Sequence, residues 1–435
     1  MKAQRKWSPN PRLTRLLFGL VLVMLVSGQM ALAQGIERRR DQYGTEFSYF
    51  LYPIFTEIPG LGSAAGFGGT IINMFDTDMD FTAFNLDGDF TVSGYALLNV
   101  HLLQERLIFD VGIYDYDVLS QYFERGINSQ WANHKWAEAQ GDYAQWQLTL
   151  TFAERMFEVY MRERYGNGHV GNVYDSNMNL ITNVNQTTTG ESMVTWGMML
   201  DYTDDLLDPR QGMKMEWSRA FQSSSDPNAS SFYVDDYNLT GFIPFRGGSD
   251  TLVLNYFRSG ATITQSGALT DAELRAAYGL GCAALPTGGP QEACLVQEDA
   301  IVAEHLTANL YGVATPIGGT SRLRAYPNGR FWGGNSQFMA AEYRWNFKEE
   351  HTPFNAFIAR GVRTGYQMAF FYEAGSVADD PALLNDTIKT SYGVGLRLLL
   401  KGLVVRLDLA QGDEGNAMTF FINYPFGMVS VDNSN

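Results

Sequence analysis

Residues 318 to 347, GGTSRLRAYPNGRFWGGNSQFMAAEYRWNF, join an arginine on a glycine-flanked loop, Leu323-Arg324-Ala325-Tyr326, to a strand in which Glu342 and Arg344 alternate with Tyr343, Trp345 and Phe347. Successive side chains of a strand point to opposite faces, so Glu342 and Arg344 share one face and the aromatics occupy the other. This combination suits ion pairing rather than bond breaking, because a planar guanidinium can bond carboxylates through two parallel hydrogen bonds. The pattern predicts a loop folded back to set Arg324 against carboxylates in a wet barrel interior. The rest of the chain must then supply the barrel.

Catalytic chemistry has no comparable signature. His101, His134, His169, His305 and His351 fall on separate predicted strands and loops, with no carboxylate or nucleophile at a suggestive spacing. No phosphate-binding loop, zinc motif or lipase elbow is present. The expectation is a non-enzymatic protein without a cofactor or a metal, with an outer-membrane hydrolase as a distant alternative.

Lys2, Arg5, Lys6, Arg12 and Arg15 form a basic start, Leu16 to Val26 an apolar core and Ala31-Leu32-Ala33 a small-residue cleavage site, so residues 1–33 read as a signal peptide and 34–435 as the mature domain. Removing those five basic residues and no acidic ones takes the formal charge from -16 to -21, which argues against a nucleic-acid partner. With 18% charged residues, 14% aromatic and 44 glycines, the full chain has the composition of a strand-rich wall and not of a disordered secreted protein. Cys282 and Cys294 stand in one Gly/Pro-rich stretch, and in an oxidising compartment pairing is favoured over metal binding, since two sulfurs alone do not make a zinc set.

No later segment offers the ~18 apolar residues of a spanning helix. Alternating runs recur instead. Trp146, Leu148, Leu150 and Phe152 oppose Gln145, Gln147, Thr149 and Thr151, while Leu403, Val405, Leu407 and Leu409 oppose Arg406 and Asp408. Sixteen such strands are predicted, among them 143–153, 155–166, 191–203, 336–347, 365–377 and 416–426; about 25 residues per strand suffices for a tilted crossing and a connection. Short turns alternate with long loops at 118–142, 167–190, 222–231 and 263–335, as in an outer-membrane barrel. The reading is an all-β, sixteen-stranded antiparallel transmembrane barrel with the 263–335 loop capping its lumen. Residues 348–364 are long for an inner turn, and Phe354, Phe357 and Ile358 suggest a short plug or surface segment. Pro53 and Pro425 lie near the two edges that must close the barrel, so pairing there is expected to be short or interrupted.

The loop SRLRAYPNGRFWGG, the strand AAEYRWNF, the segment FFYEAGSV at 370–377, the hairpin YGVGLRLLLKGLVVRLDLA at 392–410 and DYTDDLLDPRQGMKMEW at 201–217 together resemble the BamA/TamA-type outer-membrane superfamily, the bacterial surface antigen family. The resemblance implies a sixteen-stranded barrel whose sixth loop enters the lumen. It makes Arg324 the arginine of the loop-six motif, with Leu323, Ala325, Tyr326, Pro327 and Gly329 around it, Glu342 its partner on strand twelve and Glu373 its partner on strand thirteen. Register agrees: Glu373 shares parity with Gln367 and Gly375, while Met368, Phe370 and Tyr372 take the lipid side. Ala325 stands where the motif has glycine and Glu373 where it has aspartate. No periplasmic POTRA repeats are expected before the barrel. The last strand, Ala417 to Phe426, resembles a terminal assembly signal but is followed by nine residues.

By that resemblance the chain is expected in the outer membrane of a Gram-negative bacterium, among lipid and lipopolysaccharide. The implied activity is translocation or insertion of protein or lipid, with a separate periplasmic protein or lipoprotein supplying capture. A passive channel or structural surface barrel is the alternative.

Overall fold

The computed structural model describes residues 47–103, 106–206, 208–400 and 403–426; the expected signal peptide and the tail after Phe426 lie outside them. Alternation of apolar and polar residues produces sixteen antiparallel strands in the described residues: β1 (Ser48–Ile58), β2 (Gly62–Met74), β3 (Met79–Gly88), β4 (Phe90–Leu103), β5 (Leu107–Tyr122), β6 (Lys135–Phe152), β7 (Phe157–Tyr174) and β8 (Leu180–Thr203). There follow β9 (Gly212–Gln222), β10 (Ser231–Phe245), β11 (Asp250–Gln265), β12 (Asn335–Ala356), β13 (Ala359–Ala378), β14 (Lys389–Leu400), β15 (Leu403–Gly412) and β16 (Gly415–Ile422). Each strand pairs with its sequence neighbour, and β1 meets β16 to close the barrel.

The wall is inverted relative to a soluble protein. Leu51, Phe55, Phe67, Tyr95, Ile113, Leu150, Trp196, Met198, Phe370 and Tyr372 point outward and are exposed, whereas Gln145, Thr149, Arg162, Asn238, Asn255, Glu342, Arg344, Glu373, Arg397 and Asp408 are buried. A surface of this kind is stable only against lipid, and closure removes the edge that would leave backbone groups unbonded there. No helix among the described residues is long and apolar enough to cross a membrane.

Three predicted boundaries need correction. The expected loop at 167–190 is largely strand: β7 runs to Tyr174 and β8 begins at Leu180, paired through His169↔Thr187 and Val173↔Thr182. β6 likewise begins at Lys135, which shortens the 118–142 loop. Above the lipid a strand needs no apolar face, so these extensions lack the alternation that marks a spanning run. The 348–364 segment is not a plug: Phe354, Phe357 and Ile358 are exposed, as the expected surface segment would have them. It is the continuation of β12 and β13 as a hairpin, bent by register shifts at Asn346/Lys348, Glu350/Phe354 and Phe354/Ala356.

The long connection between β11 and β12 has two parts. Its first half forms α1 (Asp271–Tyr278) and α2 (Gly289–Tyr311), outside the strand pattern. Thr270 caps α1, accepting from the Glu273 amide while the Glu273 carboxylate accepts from the Thr270 amide. Cys282 and Cys294 are disulfide-bonded and tie the link between the helices to the start of α2. Arg275 reaches back to Asp271 and across to Glu298 and Asp299, joining the two helices. The second half, 312–334, returns into the lumen.

A closed barrel with an outward apolar face should stay folded in detergent until heated. Unboiled and boiled samples of the mature chain are therefore expected to migrate differently on a denaturing gel; identical migration would contradict the closed wall.

Candidate functional site

The returning segment turns sharply at Leu323, a non-glycine residue in the left-handed region (φ 51), where the Tyr326 amide donates to the Leu323 carbonyl at 3.0 Å. Ala325, which stands where the motif has glycine, is not in the left-handed region; that conformation falls two residues earlier. Gly312, Gly318, Gly319 and Gly329 supply the other positive-φ positions of the segment. The Ala325 amide donates to Ser391 Oγ at 3.1 Å and the Tyr326 hydroxyl to the Thr390 carbonyl at 3.0 Å. Gly412 makes room for both, since a Cβ there would lie 3.0 Å from that of Ala325 and 2.9 Å from the Tyr326 ring.

This turn delivers Arg324 into a ring of carboxylates from three strands. Its Nε donates to Glu373 Oε1 at 2.8 Å, Nη1 to Asp408 Oδ2 at 2.9 Å and Nη2 to Glu342 Oε2 at 3.0 Å, while its backbone amide donates to Glu373 Oε2 at 2.8 Å. All four side chains are fully buried. The guanidinium also lies 3.5 Å from the centre of the Phe371 ring, a cation–π contact on the face that its hydrogen bonds leave free.

Further arginines surround the same carboxylates. Glu342 accepts from Arg344 Nε at 2.9 Å and from Arg397 Nη2 at 2.6 Å, and Asp408 accepts from Arg406 Nη1 at 2.7 Å. Arg397 is also held by Gln367 at 2.9 Å, and Arg406 donates to the Thr320 carbonyl of the loop. Each buried charge is thus met by opposite charge, the condition for tolerating its removal from water. The structure brings Arg324, Glu342 and Glu373 together; Asp408, Arg344, Arg397 and Arg406 complete the cluster and were not selected from the sequence. Their signal was present as parity alone: Arg397 opposes Leu396 and Leu398, and Arg406 and Asp408 oppose Leu407.

A second buried arginine pins the far end of the turn. Arg330 donates to Glu414 at 2.6 and 2.8 Å and to the hydroxyl and carbonyl of Ser129, each at 2.7 Å. Pro327 and Gly329 complete the bend, with the Asn328 amide donating to the Pro59 carbonyl at 2.8 Å. The loop is therefore fastened to the β1–β2, β5–β6 and β15–β16 connections as well as to the wall.

The opposite end of the lumen is narrowed by the chain's own C-terminal segment. After Ile422 the backbone turns at Asn423 (φ 106), the Tyr424 hydroxyl donates to Asp208 Oδ1 at 2.6 Å, and the Phe426 carbonyl accepts from Asn238 Nδ2 at 2.8 Å. The buried Phe426 ring sits 6.0 Å from Phe338 and 5.6 Å from the Arg324 guanidinium. The predicted strand at 416–426 thus ends four residues early, its last residues lying inside the barrel. Among the described residues no group of three or more His, Cys, Asp and Glu side chains is placed to hold a metal ion.

A closed, lumen-plugged barrel with an apolar outer belt is an integral outer-membrane protein. No family model and no curated protein matches the sequence. Among solved structures, CdiB from Escherichia coli aligns with a TM-score of 0.51 at 9% identity, over 86% of this chain and 62% of that one. BamA from Haemophilus ducreyi lacking POTRA domains 1–3 aligns at 0.48 and 12% identity, over 87% and 70%, and CdiB from Acinetobacter baumannii at 0.46 and 11%, over 87% and 60%. The likeness to the Escherichia coli protein shows a shared barrel fold, and the chain spans about three fifths of that protein's length.

Replacing Arg324 with Ala leaves Glu342, Glu373 and Asp408 short of a donor in a dry site and should cost about 3–5 kcal/mol in detergent unfolding. Arg324→Lys should recover little, because one ammonium cannot span carboxylates fixed on three strands. Adding Glu373→Gln to Arg324→Ala should restore part of the loss by removing an uncompensated charge.

Proposed function

We propose that this barrel is a platform for moving or integrating protein segments or lipid through its lumen or its β1/β16 seam, acting with a separate periplasmic protein or lipoprotein that supplies capture. The observation that carries the proposal is the weakness of one seam in an otherwise fully zipped wall. β1 pairs with β2 over eleven consecutive residues, from Ser48↔Ile72 to Ile58↔Gly62, but with β16, among the described residues, only at Glu57↔Phe420, supported by Thr56 Oγ1 donating to the Phe420 carbonyl at 2.9 Å. Net backbone hydrogen bonds contribute about 1 kcal/mol each, so this seam separates at far less cost than its neighbours. Pro53 removes a donor from β1, as anticipated from sequence.

The Arg324 cluster acts here as the latch of the loop. It fixes Glu342 of β12, Glu373 of β13 and Asp408 of β15 to one guanidinium, and so braces the wall adjoining the seam. The fold shared with CdiB favours this reading over catalysis, and we infer no enzymatic activity.

A passive channel is the competing reading, and locking the seam separates the two. Glu57→Cys with Phe420→Cys should give a disulfide that abolishes accelerated barrel insertion or lipid scrambling in proteoliposomes, with recovery on reduction. A pore needs no seam movement and would work equally well locked; undiminished activity in the locked protein would remove the platform reading.

A further inference from the structure

The seam has a second closure that belongs to neither of its strands. β16 ends at Ile422 and its continuation enters the lumen, so the inner half of β1 loses the neighbour that a sixteen-stranded barrel should provide. That vacancy is filled from four strands away. The β12–β13 hairpin extends past the β14–β15 turn and pairs with β1 through Tyr49↔Arg360 and Phe50↔Ala359, the Leu51 amide donating to the Ile358 carbonyl at 2.8 Å.

Sheet geometry allows this reach. Four strand spacings are roughly 19 Å, and the tilt of barrel strands carries a prolonged hairpin sideways as it descends. The register shifts in β12 add the bend that brings it beneath β14, β15 and β16. The contact is packed as well as hydrogen-bonded: Phe50, Ala359 and Val362 are buried together, with Tyr52, Leu400 and Leu403 against them. On the lipid side Ile358 continues the apolar face of Leu51, and the Arg360 guanidinium lies 5.8 Å from the Phe47 ring.

The base of the hairpin is also tied across the barrel mouth. Glu349 accepts from Arg210, which pairs with Asp208 at 2.9 Å, and Asp208 in turn accepts from Tyr424 of the segment that left the wall. Glu342 and Glu373, which hold Arg324, lie on the same two strands. One hairpin therefore joins the buried cluster at one end to the seam at the other.

We propose that the β12–β13 hairpin is a seam strap: it occupies the edge of β1 that β16 vacates, and the seam opens fully only when the strap leaves β1. Without release, separation of β1 from β16 yields a window bounded by the strap on its inner side. With release, the inner edge of β1 becomes available and the wall parts along its whole height. The inference rests on the seam being the moving element of the proposed function, but its structural half is independent of what is transported.

The test uses the mature chain, whose two cysteines already form a disulfide. Because Leu51 and Ile358 are the hydrogen-bonded pair, Phe50 and Ala359 are the closer, non-bonded pair, within disulfide reach. Phe50→Cys with Ala359→Cys should crosslink in intact outer membranes, and Ile54→Cys with Ala359→Cys should not. In planar bilayers the crosslinked protein should show about tenfold fewer large openings than the same protein reduced, with reduced native chain as the control for the native disulfide. Replacing residues 351–362 by Asn-Gly should raise their frequency by a similar factor without a reductant. Failure of the 50/359 pair to crosslink in a heat-modifiable barrel would overturn the strap, as would openings equally frequent in locked and reduced protein. If the shortened hairpin does not fold, the locked-against-reduced comparison decides alone. A lock that suppresses openings in a protein inert in insertion and scrambling assays would retain the strap and reject the platform.

Discussion

A single guanidinium shared by three carboxylates governs the architecture. Arg324 lies on a loop, its partners on β12, β13 and β15, and none of the four can reach water. Ions taken out of water cost several kcal/mol each, recovered only when every charge has a well-placed opposite and its remaining hydrogen-bonding capacity is used. The surrounding Arg344, Arg397 and Arg406 supply the opposite charge for Glu342 and Asp408, and Phe371 covers the free face of Arg324, while Asp408 Oδ1 accepts no hydrogen bond among the described residues. The loop consequently cannot leave the lumen piecemeal. Its withdrawal would leave a set of buried charges unpaired all at once, so the contacts hold it as a unit.

Against that rigid centre the seam is the soft part of the wall. Every other strand interface is zipped along most of its length, whereas β1 is divided between two partners, β16 at its outer end and the β12–β13 hairpin at its inner end. The displaced C-terminal residues are not lost to the structure. Tyr424 lies 4.0 Å from the Arg344 guanidinium, and Phe426 fills space beside Phe338, so the departure of the chain from the wall is stabilised by what it packs against inside.

Much of this was legible before any coordinates. Period-two alternation gave the strand number and the sense of each face, because lipid outside and water inside impose opposite preferences on neighbouring residues. Parity on two strands was enough to select Glu342 and Glu373. Asp408 escaped because its approach to Arg324 depends on how far β13, β14 and β15 curve around the loop, which a strand pattern does not encode. The extensions of β7 and β8 escaped because Asn, Thr and Gly above the bilayer look like loop. The length of 348–364 marks it as unusual in the sequence, but its pairing is not legible there, since its partner, β1, lies some 300 residues earlier in the chain. Long-range pairing of this kind leaves no local trace.

The position of these parts along the chain has a consequence for assembly. Arg324, its three carboxylates, the hairpin, β16 and the inward-turned Tyr424 and Phe426 all fall between residues 320 and 426, whereas β2 to β9 contribute chiefly plain wall. The seat for the loop does not exist until β15 has been laid down, so the last quarter of the polypeptide must come together as one cooperative unit. The first strand, paired along its length with β2, depends on this unit only for its other edge. That edge meets the unit through two short contacts, one with β16 and one with the hairpin.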